Sequence, residues 1–299
     1  MKLGMSSYSF RPMLANGSLQ IETMFDWMSA HQAEHLEIAT FSFAETGKEA
    51  EYDLASDTAT LQRITAESAR TGIPVSGICM GANFIGMSAA ERQAQIALVK
   101  RYVELCNRLE VGFLRHDVVQ WSYRTTETAV FEREFAGIVD ACQEIASFAA
   151  GQGVVTSVED HGFFMNSSER VRRLIHAVDL PNFKFTLDVG NFLCVDEDAV
   201  VATRAGLADA SFVHLKDFYV RRRSPGEGWL ETLGGQFIRG SVFGFGDLET
   251  QMIVDAVTAS GYDGFVSLEY EGNEPTLYGC ATGLANIRRM VEQASRKAV

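Results

Sequence analysis

The chain has no long apolar run, no paired cysteines and no excess of basic charge, and each absence removes a class of protein. No stretch reaches the roughly 18 apolar residues of a membrane span. The five cysteines, Cys79, Cys106, Cys142, Cys194 and Cys280, are odd in number and widely spaced, with no CxxC pair. That argues against a disulfide framework and a thiolate zinc site, and marks them as small buried apolar residues. Acidic residues outnumber basic ones, 39 to 26, for a formal net charge of −13, and the pI is about 4.9. Such a surface repels phosphate backbones, so nucleic acid is not an expected partner. No Ser/Pro-rich linker, charge block or low-complexity tract interrupts the chain. Met1-Lys2-Leu3-Gly4 runs straight into strand-like sequence, leaving no room for a signal peptide, and a soluble, cytoplasmic protein is expected.

What is present is ample material for a core: 299 residues, 46% of them hydrophobic, enough for one large domain or two ordinary ones. Short apolar runs at 2–10, 35–39, 73–80, 112–118, 153–159, 183–188, 210–216 and 264–270 read as strands. Between them lie amphipathic patterns at 18–31, 54–71, 88–110, 126–150, 247–260 and 281–298, with weaker ones at 167–177 and 197–205. Ser88 with Glu91 forms a capping box in sequence, Ser167 supplies a cap without the box, and Gly72, Gly151 and Gly261 stand where helices should stop. Eight strand–helix units of this kind imply parallel strands with right-handed crossovers, in a closed barrel or an open doubly wound sheet. One connection is abnormally long. Residues 216–246 follow the seventh strand and read as a β-ribbon turning at Ser224-Pro225-Gly226.

The last four strands end alike. GVVTSVE finishes at Glu159, FKFTLD at Asp188, ASFVHLK near His214 and GFVSLEY near Glu269. In a barrel, equivalent strand ends stand side by side at one rim, so three carboxylates and an imidazole would converge there. That donor set suits one divalent cation, Mn²⁺, Mg²⁺, Co²⁺, Fe²⁺ or Zn²⁺, without choosing among them. Other rim residues are candidate substrate contacts: Glu37 and His116 ending the second and fourth strands, Tyr8 with Phe10 after the first, and Asn83 with Phe84 after the third. Asn191 either binds substrate hydroxyls or caps a helix. His161, two residues past Glu159, is a candidate acid/base or orienting group. Lys216 is a candidate for stabilising developing charge, and Asp217 either orders the metal's surroundings or forms a salt bridge. Arg221, Arg222 and Arg223 cannot all face one way on a ribbon, so they read as a solvated or subunit-contacting surface.

MSSYSF (5–10), VEDHG (158–162), LDVGN (187–191), VHLKD (213–217), GFGD (244–247) and SLEYEG (267–272) together carry a family signature. On these motifs the chain resembles the sugar phosphate isomerase/epimerase superfamily of xylose isomerase-like TIM barrels, over nearly its whole length. The resemblance implies a single-domain (β/α)8 TIM barrel over residues 1–299, with a long insertion after strand seven. It implies that Glu159, Asp188, His214 and Glu269 bind one divalent metal ion. It implies an isomerase or epimerase acting on a sugar or keto-sugar by proton abstraction beside a carbonyl, through a metal-stabilised enediolate. Glu159 and Glu269 would be the proton-exchanging pair, with His161 and Lys216 as further catalytic candidates.

Ketose 3-epimerases carry an Arg soon after the fifth-strand Glu and a Glu three residues after the seventh-strand His; here the stretches read EDHG and HLKD. Relatives often carry an acid where Phe245 stands. These departures keep a dehydratase or lyase on an inosose-like keto-polyol or 3-keto glycoside as the alternative, with a non-catalytic sugar-binding barrel as the second. Endonuclease IV shares the fold but needs further His and Glu ligands, whereas this chain has six histidines, two of them (His31, His176) in helical patterns. A homodimer or tetramer is expected by family analogy.

Overall fold

The structure, a computed structural model, describes residues 1–297. Strands β1 (Lys2–Ser6), β2 (Leu36–Ala39), β3 (Val75–Met80), β4 (Phe113–His116), β5 (Val155–Glu159), β6 (Phe183–Asp188) and β7 (Ala210–Leu215) run parallel. A three-stranded sheet of β8 (Asp217–Arg221), β9 (Leu230–Glu231) and β10 (Phe237–Ser241) follows, before β11 (Phe265–Leu268) pairs with both β7 and β1 and closes an eight-stranded barrel. The alternation in sequence left a barrel and an open sheet both standing; pairing of the first strand with the last decides for the TIM barrel.

Helices α1 (Arg11–Ala15), α2 (Ile21–Ala30), α3 (Thr58–Thr71), α4 (Ala89–Arg108), α5 (Thr128–Ala150), α6 (Ser168–Val178), α7 (Ala199–Gly206), α8 (Thr250–Ala259) and α9 (Thr276–Lys297) surround it. Their ends follow local chemistry. Ser88 accepts from the Glu91 N–H while the Glu91 carboxylate accepts from the Ser88 N–H, so both orphan donors at the start of α4 are satisfied. Gly72 closes α3 at φ 74°, a left-handed conformation that costs glycine little. Gly151 is right-handed, and the left-handed turn falls two residues later at Gly153 (φ 72°). The last helix starts at Thr276, five residues before its amphipathic pattern becomes clear, and the final position expected for it, Ala298, lies outside the described residues. No helix among the described residues is long and apolar enough to cross a membrane.

The expected ribbon differs in its pairing. β8 pairs with β10 rather than with the strand immediately following, and the tight hairpin joins β9 to β10, where Thr232 N–H donates to the Gln236 carbonyl. Residues 224–226 belong to the longer connection. Phe163, Cys194, Phe218 and Ile238 pack beneath this sheet as a small separate core. Arg124 crosses to it from the loop after β4, donating to the Glu231 carbonyl at 2.7 Å while lying 3.7 Å above the Phe163 ring.

Rings plug the N-terminal end of the barrel. Phe212 stacks on Phe265 at 5.8 Å, Phe113 meets both edge-on, and His35 abuts Phe212 and Phe265. Gly4 is required here, because a Cβ at that position would lie 2.2 Å from the His35 carbonyl oxygen. Burying Phe212 contributes roughly 1.5–3 kcal/mol, and the filled base leaves only the opposite rim for chemistry.

His35 is fully buried against Ser76, Lys2 and Val266 oxygens, and burial lowers its pKa to about 4. Burial does the same to His116. Folded values below the unfolded one mean that the unfolded chain takes up these protons first. The stabilisation from neutral rings is therefore complete above about pH 6.5 and is lost as pH falls towards 4, on the order of 3 kcal/mol per ring. Thermal unfolding should show the melting temperature falling across that window. A His35→Asn variant, less stable at pH 7, should show a shallower fall; an unchanged slope would rule the ring out.

Candidate metal centre

Each candidate ligand is delivered by strand register. Asp188 pairs with His214 across β6 and β7, Glu159 with Thr186 across β5 and β6, and the Glu269 N–H donates to the Leu215 carbonyl at the end of β7. All four side chains are buried. His214 Nδ1 lies 3.6 Å from Glu269 Oε1 and 3.8 Å from both Glu159 Oε2 and Asp188 Oδ2. These separations are too long for hydrogen bonds, and among the described residues nothing hydrogen-bonds to His214 Nδ1 or Asp188 Oδ2. Buried polar atoms normally find partners. A divalent cation held among these donors would give His214 Nδ1 a partner and join Lys216 in neutralising Asp188 Oδ2. The residues therefore fit a divalent ion.

Asp188 divides its two oxygens. Oδ1 accepts from the Gly190 and Asn191 N–H groups, so the loop after β6 holds the carboxylate and leaves Oδ2 facing the centre. Adjacent acids at the end of β5, Glu159 and Asp160 just past it, serve opposite faces, as a strand's two-residue period dictates. Glu159 enters the lumen, whereas Asp160 accepts from the Asp188 N–H at 2.9 Å and pins the end of β6. Burial, then the Asp188 and Glu159 charges, push the Asp160 carboxyl well up.

Two buried cations flank the acids. Arg115 Nε is 2.7 Å from Glu159 Oε2, and its Nη2 donates to Asp117 Oδ1 at 2.7 Å. Lys216 Nζ lies 3.0 Å from Glu269 Oε2 and 3.2 Å from Asp188 Oδ2. Burial pushes Glu269 up, but Lys216 and His214 outweigh it and hold the carboxyl at about 2. Burial raises Glu159 on balance, because Arg115 and His214 offset only part of it.

Several expected substrate contacts take other places. Glu37 is buried beneath the histidine rather than open at the mouth, with its carboxylate 2.8–2.9 Å from His214 Nε2 and accepting from Cys79 Sγ at 3.0 Å. It orients the ring so that Nδ1 faces the three acids, an arrangement common around metal-binding histidines. His116 turns out of the lumen against Phe84 and Phe183; the neighbouring Arg115 points in. Asn191 donates to Glu159 Oε1 at 2.8 Å and caps nothing. Asn83 spends both polar ends on loop backbone, donating to the Ile85 carbonyl and accepting from the Gln120 N–H. Phe10 and Phe84 are core residues. Asp217 neither orders the centre nor forms a salt bridge: it accepts from the Phe218, Gly244 and Gly246 N–H groups, holding the GFGD turn. A Cβ at Gly246 would lie 2.2 Å from its Oδ1, which explains that glycine. The triple arginine is exposed, and Arg221 pairs with Asp247.

Tyr8 and His161 remain at the rim. Tyr8 donates to Glu271 Oε2 at 2.9 Å, and its ring faces Lys216. His161 Nδ1 is 2.9 Å from Asp117 Oδ1, with the side chain partly open. Burial lowers its pKa, but Asp117 more than offsets this and the net shift is upward. Arg115, Asp117 and Glu271 were not singled out from sequence. For Arg115 the signal was present, since in FLRH it shares β4's lumen-facing parity while His116 does not.

The profile of the xylose isomerase-like TIM barrel family matches residues 29–290. The chain belongs to this family. A search of curated proteins finds no match by sequence. Among solved structures, an L-ribulose 3-epimerase superposes with TM-score 0.72 at 17% identity, covering 100% of this chain and 97% of that one. A probable 3-DHS dehydratase from Bacillus anthracis gives 0.70 at 17%, covering 96% and 98%. A xylose isomerase-like TIM barrel protein from Mycobacterium smegmatis, in complex with magnesium, gives 0.66 at 14%, covering 92% and 90%. At these identities the likeness establishes the shared fold.

Replacing Glu37 by Gln should weaken Mn²⁺ binding roughly 10–100-fold, read by isothermal titration, with the fold retained by circular dichroism. Unchanged affinity would show that the carboxylate does not orient His214.

Proposed function

We propose that the protein is a divalent-metal-dependent isomerase or epimerase of a sugar or keto-sugar. The observation that carries this reading is His214 Nδ1, buried without a hydrogen-bond partner among the described residues and ringed by three carboxylate oxygens. Glu159, Asp188, His214 and Glu269 would hold the ion. When bound, a divalent cation supplies Lewis-acid polarisation of neighbouring carbonyl and hydroxyl oxygens.

The chain's own residues supply the proton traffic. Glu159 and Glu269 stand on opposite sides of the cluster, each with a cation beside it that favours the ionised carboxylate, so each would start as the base that takes a carbon-bound proton. Arg115 and Asn191 fix both oxygens of Glu159. Lys216 steadies Glu269 and brings an ammonium to the edge where negative charge develops on a substrate oxygen. The buried walls limit water and so protect a carbanion-like species from stray protonation.

Deuterium incorporation tests the reading. Mn²⁺-loaded protein would be incubated in D₂O with ketoses, inososes and 3-keto glycosides, and the metal removed before NMR. Exchange at carbon with recovery of an isomeric sugar is expected. Glu159→Gln and Glu269→Gln should each lower it by roughly 10²–10⁴-fold, with metal content measured alongside. If no compound changes and metal analysis finds no bound ion, the four-ligand site is wrong and a sugar-binding barrel replaces the enzyme.

A second reading rests on His161. Held by Asp117 at a partly open position, it is placed to protonate a departing hydroxyl, as a dehydratase or lyase requires. Loss of water from an inosose, abolished in His161→Gln while exchange at carbon persists, would favour it. Retained water loss in that variant would dismiss it.

A further inference from the structure

A cleft of about 200 Å³ opens between the ends of β1 and β11, lined among others by Tyr8, Ser9, Arg11, Tyr270, Glu271 and Thr276. One lining side chain, Glu271, links it to the candidate centre. Glu271 Oε2 is 3.9 Å from Lys216 Nζ, and the same ammonium touches Glu269 and Asp188. A ligand with its reacting carbons at the metal-ligand cluster would extend its remaining atoms this way.

The polar groups of the cleft differ from those of an anion site. Arg11 is the cation in its lining, and it is ion-paired with Glu49 and lies 5.6 Å from the Phe41 ring centroid. Lys216, beyond Glu271, already faces the Asp188 and Glu269 carboxylates as well. Glu271 is 27% exposed, and its carboxylate accepts from Tyr8. A carboxylate accepts hydrogen bonds from hydroxyls, whereas a second anion beside it in partly desolvated space is repelled. The Tyr8 ring, set edge-on to Phe41, offers an apolar wall beside this acceptor, a combination typical of small-molecule pockets.

We infer that this cleft receives the part of the substrate remote from the reacting carbons, and that Glu271 selects an uncharged, hydroxyl-bearing group there over a phosphate or carboxylate. The inference rests on the keto-sugar reading and narrows it to substrates unphosphorylated at that end. Glu271 and Tyr8 set specificity; they need not touch the reacting atoms.

Isothermal titration of the Mn²⁺-loaded chain with two matched pairs tests this: D-fructose with D-fructose 6-phosphate, and D-xylulose with D-xylulose 5-phosphate. The neutral member of each pair should bind at least about tenfold more tightly. Glu271→Gln should shrink that gap to within about threefold, chiefly by tightening the phosphate ester. Equal or tighter binding of the esters by the wild-type chain overturns the inference, as does a gap that persists in the variant. If an ester binds more tightly and deuterium exchange is intact, only the cleft assignment falls. If no sugar of either pair binds while one Mn²⁺ is held per chain, the keto-sugar reading falls with it.

Discussion

Three buried carboxylates around one imidazole nitrogen form the constraint on which the rest of the structure depends. Like charges so close and so buried oppose folding unless cations balance them, because desolvation of each ion costs several kcal/mol after relaxation. Arg115 and Lys216 are the fixed part of the balance, one beside Glu159 and the other between Asp188 and Glu269. They are themselves buried, so neither could stand without the acids. His214 Nδ1 has no hydrogen-bond partner among the described residues and points to where a divalent cation would complete the set.

Around that cluster, side chains that resemble substrate contacts mostly serve to hold it. Glu37 fixes the histidine from below, Asn191 and Arg115 fix Glu159, and Asp160 fixes the backbone that carries Asp188. Asp217 gathers the glycine turn at residues 244–246, which joins the ribbon to α8. This support is dense because a four-donor site tolerates little displacement, and each support is a hydrogen bond or ion pair to a residue on another strand or loop. The rim beyond it is less committed. Tyr8, His161 and Glu271 keep partial exposure, and specificity would be decided there.

How much of this was legible varies with the physics of each feature. The β6 strand falls on residues 183–188 as its apolar alternation indicates, and the Ser88–Glu91 box starts α4 where sequence places it. Both are set by neighbours within a few residues. The ribbon was legible as strands but not as pairs, since which strand β8 joins depends on how the chain folds back over the small core at Phe163 and Phe218. His116 ends the fourth strand and so reads as a rim residue, but the two-residue period of β4 turns it outward and brings Arg115 into the lumen.

The sequence by itself determined the strand–helix rhythm, the caps and the matched acidic and imidazole endings of the last four strands, because these depend on periodicity and on residue type at element ends. Family membership, through motifs at those same ends, belongs with them. Only the tertiary structure decided which polar residues face the lumen, which of them hold others in place, and where the cleft beside Glu271 opens. Those outcomes rest on distances between residues that are 30 to more than 200 positions apart, as with Asn191 and Glu159, Glu37 and His214, or Tyr8 and Glu271. No local pattern encodes such a distance; barrel closure, with β1 paired to β11, sets it.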